Sequence, residues 1–439
     1  MALSGFPEWL PAGRQIELAI TDTARRIFEL HGFASIETRS VEPVAELLRK
    51  GEIDKEVYGV RRLQGEGDDD LALHFDLTVP LARYVVEHAG HLDFPFRRFQ
   101  IQKVWRGERP QEGRFREFTQ ADIDIVGDGS LGIHHEIEMA LVMAEVFAAL
   151  PIPKTVISVN NRKLAEGFFR GVGAEDPALV LRAIDKLDKI GPAKVATLLQ
   201  SDVGLSVAAA NACLALADIR TTDLSFVDRV RALGVQNDLL DEGLDELSAV
   251  ISGVHSENKA AVVANLRIAR GLDYYTGTVY ETELVGHESV GSICSGGRYD
   301  TLASVGNRVF PGVGISLGVT RLVSILLGRS LVSVSRSVPS AVLVAVNDED
   351  GRSASAAVAS TLRSRGIPCE IAAQPDKFGK QIRYAERRGI PFVWFLTDSG
   401  GEIKDIRSGD QTPADPATWV IPEDDRAPQV ISTVSEEDS

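Results

Sequence analysis

The chain is 439 residues long, 44% apolar and 25% charged, a composition expected of a globular protein with two or three domains. No stretch approaches the roughly 20 uninterrupted apolar residues of a membrane span, and the opening MALSGFPEWLPAGRQIE lacks the basic start and apolar core of a secretory signal. The net charge of −16 argues against a general nucleic-acid coat but not against one local basic face, because phosphate contacts depend on how Lys and Arg cluster.

Residues 15–31 read as a helix, with apolar positions at Ile16, Leu18, Ala19, Ile27 and Leu30 and Gly32 as its C-terminal cap. Short β-type segments follow, then HFDLTVPLARYV, where Asp76 and Thr78 share strand parity ahead of a helix near 81–88. An acid beside a hydroxyl suits an ammonium group with three protons to donate; the same pair is also a common helix cap.

Two alternating strands come next, over 99–106 and 115–126. In the second, Phe115, Thr119, Ala121, Ile123 and Ile125 take one face, and Arg114, Arg116, Phe118, Gln120, Asp122 and Asp124 the other. Such a polar face meets either solvent, as in a half-exposed antiparallel strand, or a ligand. The intervening GERPQEGR adds arginines. Arg106, Arg109, Arg114 and Arg116 together make a guanidinium cluster suited to polyphosphate, which planar forked donors bind well.

A helix over 135–150 and the strand TVISVNN lead to Ala/Leu-rich helices with no convincing strand signal, read as a helical insertion over 166–257. The β pattern then resumes through RGLDYYTGTVYE and SGGRYD to GVGISLGVTRL. Tyr274 and Tyr275 are adjacent, so they cannot both serve one core in a regular strand. The paired glycines of SGGRYD permit close backbone approach, though alone they mark only a loop. GVGISLGVTRL runs a strand into a helix whose first turn holds Arg321, which fits either a phosphate site or a packing turn. After a link, 338–439 alternates strands and helices as a small α/β domain, and Lys380, Arg383 and Arg387 form a basic stripe on one helix, whether as a binding face or a solvated one. Cys213, Cys294 and Cys369 lack metal-ligand spacing and read as buried thiols of a reducing compartment, hence a cytoplasmic protein. The acidic tail SEEDS reads as a frayed end.

Taken in order, these segments resemble a class II aminoacyl-tRNA synthetase, and more narrowly a histidyl-tRNA synthetase. KVWRGERP…GRFREFTQADIDIVG is similar to motif 2 in its histidyl form, GVGISLGVTRL to motif 3, and RGLDYYTGTVYE and SGGRYD to the two histidine signatures. HFDLTVPLARYV and DKLDKI resemble the archaeal and eukaryotic branch, and the likeness runs over nearly the whole chain. It implies an α+β catalytic domain over 1–165 and 258–328, with a mixed, mostly antiparallel sheet flanked by helices, and an anticodon-binding α/β domain over 338–439.

By this resemblance ATP and L-histidine give histidyl-adenylate, and the histidyl group passes to tRNA(His). Arg106 would hold the α-phosphate and the substrate carboxylate, and Arg270 would be the catalytic arginine. Glu108 and Phe118 would contact adenine, while Arg114 and Arg321 reach the distal phosphates. Asp76, Thr78 and Gln120 would hold the α-ammonium. Asp124 and Tyr275 would meet the imidazole, with Tyr274 beside them. Mg²⁺ would sit on the ATP phosphates, its protein ligands not legible, and the family implies a homodimer. Three positions depart from the pattern: Arg39 stands where motif 1 usually has proline, His74 where relatives carry arginine, and Thr320 where glutamate is common. Rival readings are a paralogue that delivers histidyl-adenylate to another acceptor and a non-catalytic regulatory subunit of ATP phosphoribosyltransferase.

Overall fold

The computed structural model of the chain describes residues 3–48, 56–64, 70–257, 262–268, 274–397 and 400–433. They fall into two compact units, one of Ile20–Ile325 with the residues up to Pro7, the other of Glu8–Ala19 with Leu326 onward. Among the described residues, no helix is long and apolar enough to cross a membrane.

The first helix, Pro11–Leu30, starts earlier than its apolar spacing predicts. Pro11 can open it because the first residue of a helix has no backbone N–H bond to lose. Ile16, Ile20, Ala24 and Ile27 form its buried stripe.

The first unit is built on a mixed sheet. Its described strands are β1 (Ala34–Ser35), β2 (Phe96–Trp105), β3 (Glu117–Val126), β4 (Thr155–Asn161), β5 (Arg220–Thr221), β6 (Val262–Asn265), β7 (Thr278–Leu284), β8 (Cys294–Val305) and β9 (Arg308–Gly318). Their order is β1-β2-β3-β9-β8-β7-β4-β6-β5. Every pair from β2 across to β4 is antiparallel, and the parallel pairs lie outside that stretch, between β1 and β2 and between β4 and β6. The expected mixed, mostly antiparallel sheet flanked by helices is therefore present.

Three local expectations change. First, β3 begins at Glu117, so Arg114, Phe115 and Arg116 lie outside the strand and its alternation. A turn with Gly113 at φ +68° and a bridge between Gln111 and Arg114 occupies that stretch. Second, Thr78 opens a helix, Thr78–His88, and Asp76 precedes it, accepting the Val79 N–H at 3.1 Å; a helix start, not strand parity, brings the two together. Third, SGGRYD is part of β8 and not a loop. The helix-rich stretch also contains one short strand, β5, paired to β6.

Both faces of β3 are covered. Ala121, Ile123 and Ile125 are fully buried on one side, and Gln120, Asp122 and Asp124 are buried on the other. The half-exposed strand is thus excluded. Register explains much of the polar face: Arg98 lies opposite Asp124 and Gln100 opposite Asp122 on β2, while Gly314, Ser316 and Gly318 of β9 lie opposite Asp124, Asp122 and Gln120.

Helices Arg162–Gly171 and Asp238–Glu257 pack against each other at two glycines. A Cβ on Gly167 would lie 2.2 Å from the Leu240 nitrogen, and one on Gly243 2.1 Å from the Leu164 nitrogen, so the two backbones touch.

The second unit holds a sheet of β10 (Val342–Val344), β11 (Cys369–Ile371), β12 (Phe392–Thr397), β13 (Gly400–Asp405) and β14 (Gln411–Pro413) in the order β11-β10-β12-β13-β14. Helices Arg352–Ser364 and Phe378–Arg388 connect its parallel strands, and Trp394 is fully buried in its core. Ala385 is buried on the opposite face of the sheet with Val393 and Phe395, whereas Lys380, Arg383 and Arg387 are exposed. All three cysteines are buried and free.

Candidate active site

Two adjoining cavities open on the polar face of β3. The larger, ≈ 230 Å³, is bordered by Arg106, Glu108, Arg114, Phe118 and Arg321, together with the backbone around Ser292–Ser295 and Gly318. The smaller, ≈ 80 Å³, is bordered by Asp76, Thr78, Asp124, Tyr274, Tyr275 and Tyr299, among others. Arg106, Gln120, Ser295 and Ser316 border both.

In the larger cavity Arg106 is aimed by its Nε–H, which donates to the Phe75 carbonyl at 3.0 Å, and its guanidinium lies 5.1 Å from the Phe118 ring centroid. Arg114 pairs loosely with Glu108 at 3.6 Å. Arg321, in the first turn of the helix after β9, donates to the Val290 carbonyl. The expected guanidinium cluster is thus divided. Arg106, Arg114 and Arg321 border the cavity. Arg109 and Arg116 do not, and Arg116 instead donates to the Glu108 carbonyl at 3.2 Å. The cause is the turn before β3, which removes residue 116 from the strand's alternation.

The smaller cavity is acidic and phenolic. Asp124 is gripped by Arg98 at 2.6 Å and accepts the Tyr299 hydroxyl at 2.7 Å. Arg98 is fully buried, and such a cation persists inside a protein only when paired and hydrogen-bonded. The Tyr274 hydroxyl donates to that of Tyr275 at 2.7 Å, with the rings 4.2 Å apart. Burial pushes the Tyr274 and Tyr299 phenols above their ordinary range, so both stay protonated donors at neutral pH. Asp122 is pushed up to about 7, by burial first, with Arg98 opposing and Asp124 adding to the rise.

Glycines make the room. A Cβ on Gly314 would stand 2.0 Å from Asp124 Oδ1, one on Gly312 2.4 Å from the Tyr299 ring, and one on Gly297 2.9 Å from the Tyr275 ring. One on Gly296 would lie 2.2 Å from the Gly314 carbonyl oxygen.

Of the residues singled out from sequence, Arg106, Glu108, Arg114, Phe118, Gln120 and Arg321 border the larger cavity, and Asp76, Thr78, Asp124, Tyr274 and Tyr275 the smaller. Arg270 lies outside the described residues. Sequence reasoning assigned nothing to Arg98, Asp122, Tyr299 or Ser316. Asp122 could have been found, since it shares the even parity of Gln120 and Asp124.

The departures also find partners. Glu42, almost fully buried, is bonded by Arg39 on one oxygen and Arg83 on the other, each at 2.9 Å or less. His74 Nε2 lies 2.7 Å from the Lys103 carbonyl, its ring stacked on Trp105. The Thr320 hydroxyl accepts the Thr119 N–H at 2.8 Å, tying the helix after β9 to β3.

The family described as histidyl-tRNA synthetase matches residues 5–322, and the anticodon binding domain matches 340–407. The chain belongs to the histidyl-tRNA synthetase family. Among members of that family, the histidine–tRNA ligase of Micrococcus luteus is 62% identical over 448 residues and that of Cutibacterium acnes 60% over 447, each alignment covering 98% of both chains. The crystal structure of histidyl-tRNA synthetase from Nostoc sp. PCC 7120 superposes with a TM-score of 0.85 at 36% identity, covering 94% of this chain and 96% of that one. Members of the histidyl-tRNA synthetase family thus share its fold over both units.

Proposed function

We propose that the adjoining cavities form one synthetase centre, with ATP in the larger and L-histidine in the smaller. As a member of its family the chain is a histidine–tRNA ligase, an ATP-dependent aminoacyl-tRNA synthetase. The observation that carries the division of the site is that Arg106 and Gln120 border both cavities. A guanidinium there can hold the histidine carboxylate and the α-phosphate together, which is where the new bond forms.

The nucleophile is already anionic, so no serine, cysteine or general base is required. A carboxylate oxygen of histidine bonds to the α-phosphorus as the bond to pyrophosphate breaks. A terminal ribose hydroxyl of tRNA then attacks the acyl carbon, and AMP leaves. Alignment and stabilisation of phosphoryl charge supply most of the rate. Arg106 and the catalytic Arg270 serve the α-phosphate, Arg114 and Arg321 the distal phosphates, and Phe118 and Glu108 the adenine. Asp76, Thr78 and Gln120 take the α-ammonium. Neutral imidazole offers one donor and one acceptor, which Asp124 and Tyr275 can satisfy, with Tyr274 locking Tyr275.

Mg²⁺ would travel with the phosphates of ATP. Among the described residues bordering the larger cavity, Glu108 is the one carboxylate, and it is paired with Arg114. The reading further takes 1–165 with 258–328 as the catalytic domain, 166–257 as a helical insertion and 338–439 as the anticodon-binding domain, in a cytoplasmic homodimer. Both relatives named above are bacterial. Kinship with the archaeal and eukaryotic branch therefore rests on HFDLTVPLARYV and DKLDKI alone. The anticodon-domain match argues against a purely regulatory paralogue.

The test is ATP–pyrophosphate exchange with each amino acid, followed by aminoacylation of tRNA(His). Histidine-dependent exchange with transfer to tRNA is expected. Absence of histidine-dependent exchange sinks the reading, and exchange without transfer favours a specialised acceptor.

A further inference from the structure

Asp122 lies on the wall of the smaller cavity, 3% exposed, and its Oδ1 has no hydrogen-bond partner among the described residues. Ser316 stands directly opposite it across the β3–β9 ladder, its hydroxyl near enough to favour the ionised carboxyl. That hydroxyl in turn accepts from Gln120 Nε2 at 2.5 Å. The amide is thereby oriented with its nitrogen toward β9, and its buried Oε1 has no partner either. Gln120, Ser316 and Asp122 are thus placed for a directed chain of donors, Gln120 to Ser316 to Asp122, that closes when the carboxyl is ionised. A buried carbonyl oxygen without a donor is costly, and a bound ammonium would satisfy it.

We propose that Asp122 is a positioning residue for amino-acid binding, acting through Ser316 to hold the Gln120 amide with its oxygen presented to the substrate α-ammonium. This inference rests on the assignment of the smaller cavity to histidine. An ionised Asp122 can only accept, which fixes the direction of the chain. A protonated Asp122 can donate to Ser316 instead, and the Gln120 amide then loses its unique orientation.

The groups facing Asp122 are Arg98 and Gln100 from β2, Gln120 and Asp124 on its own strand, Ser316 from β9, Cys294 from β8 and Asp76 ahead of the helix. Burial holds the Cys294 thiol neutral, and Arg98 is committed to Asp124. Asp122 therefore carries the proton that a cationic substrate displaces, with its midpoint pushed up to about 7. Histidine affinity should accordingly rise as pH increases through that value.

The experiment is ATP–pyrophosphate exchange by the full chain between about pH 6 and 8.5, with wild type, Asp122→Asn and Ser316→Ala compared at each pH. Histidine's own imidazole titrates identically in all three, so only the difference between the profiles is read. Both variants should raise KM for histidine about tenfold while KM for ATP stays within about twofold. Asp122→Asn should also lose the component of the pH profile centred near 7. Unchanged histidine KM in both variants, or an equal rise in ATP KM, overturns the inference. Should Asp122→Asn fail to fold, Ser316→Ala decides alone by the same split. Wild-type enzyme without histidine-dependent exchange would instead overturn the functional reading, and this inference with it.

Discussion

Asp124 shows how a single side chain is made specific by its surroundings. Its oxygens are engaged by Arg98 and Tyr299, so it is anchored at the wall of the smaller cavity. Gly314 faces it across the β3–β9 ladder. Gly314→Ala should drive the carboxylate off its anchors and lower kcat/KM for histidine on the order of 100-fold. Exchange kinetics check this, and an unchanged kcat/KM would show that Asp124 does not read the substrate. Arg270→Ala should reduce adenylate formation far more than histidine binding; single-turnover assays beside equilibrium binding separate the two, and equal losses would remove Arg270 from the chemistry. At this scale the motifs made Gln120, Asp124, Tyr275 and Arg321 legible as residues that border the cavities. Arg98 was not legible, because a charged residue on a strand looks exposed until its cross-strand partner is known. Arg109 and Arg116 misled for the converse reason, since proximity in sequence does not place them on one face when a turn intervenes.

The elements themselves were readable where alternation or helical spacing was long and clean, as in β3, β4 and the strands and helices of the second unit. Their ends were not. Pro11, Thr78 and Glu117 begin elements at positions fixed by backbone bonding and turn geometry, which hydrophobic spacing does not encode. Nor did spacing reveal how Arg162–Gly171 and Asp238–Glu257 pack, because their contact depends on missing side chains. Gly243→Ala should cost about 1–3 kcal/mol, the steric penalty outweighing the better helix propensity of alanine. Denaturant unfolding measures it, and a variant as stable as wild type would mean that the helices separate freely.

For the molecule as a whole, a net charge of −16 coexists with an exposed basic stripe, and the sum conceals what the distribution reveals. Replacing Lys380, Arg383 and Arg387 by alanine should lower aminoacylation at limiting tRNA on the order of tenfold and flatten its salt dependence, with pyrophosphate exchange unaffected. A matching loss in exchange would refute a tRNA-facing role for that helix. The order of motifs along the chain exposed the fold class; the relation of each motif to its neighbours needed strand register, a property of pairs that no single segment carries. The glycines under the smaller cavity add a genetic consequence. A Cβ on Gly296, Gly297, Gly312 or Gly314 would stand within 3 Å of another residue. Every base change in a glycine codon is silent, ends the message or adds at least that atom. Any single-step replacement at these four positions therefore pushes an added atom into its surroundings, so the shape of this part of the sheet has no near neighbours in codon space.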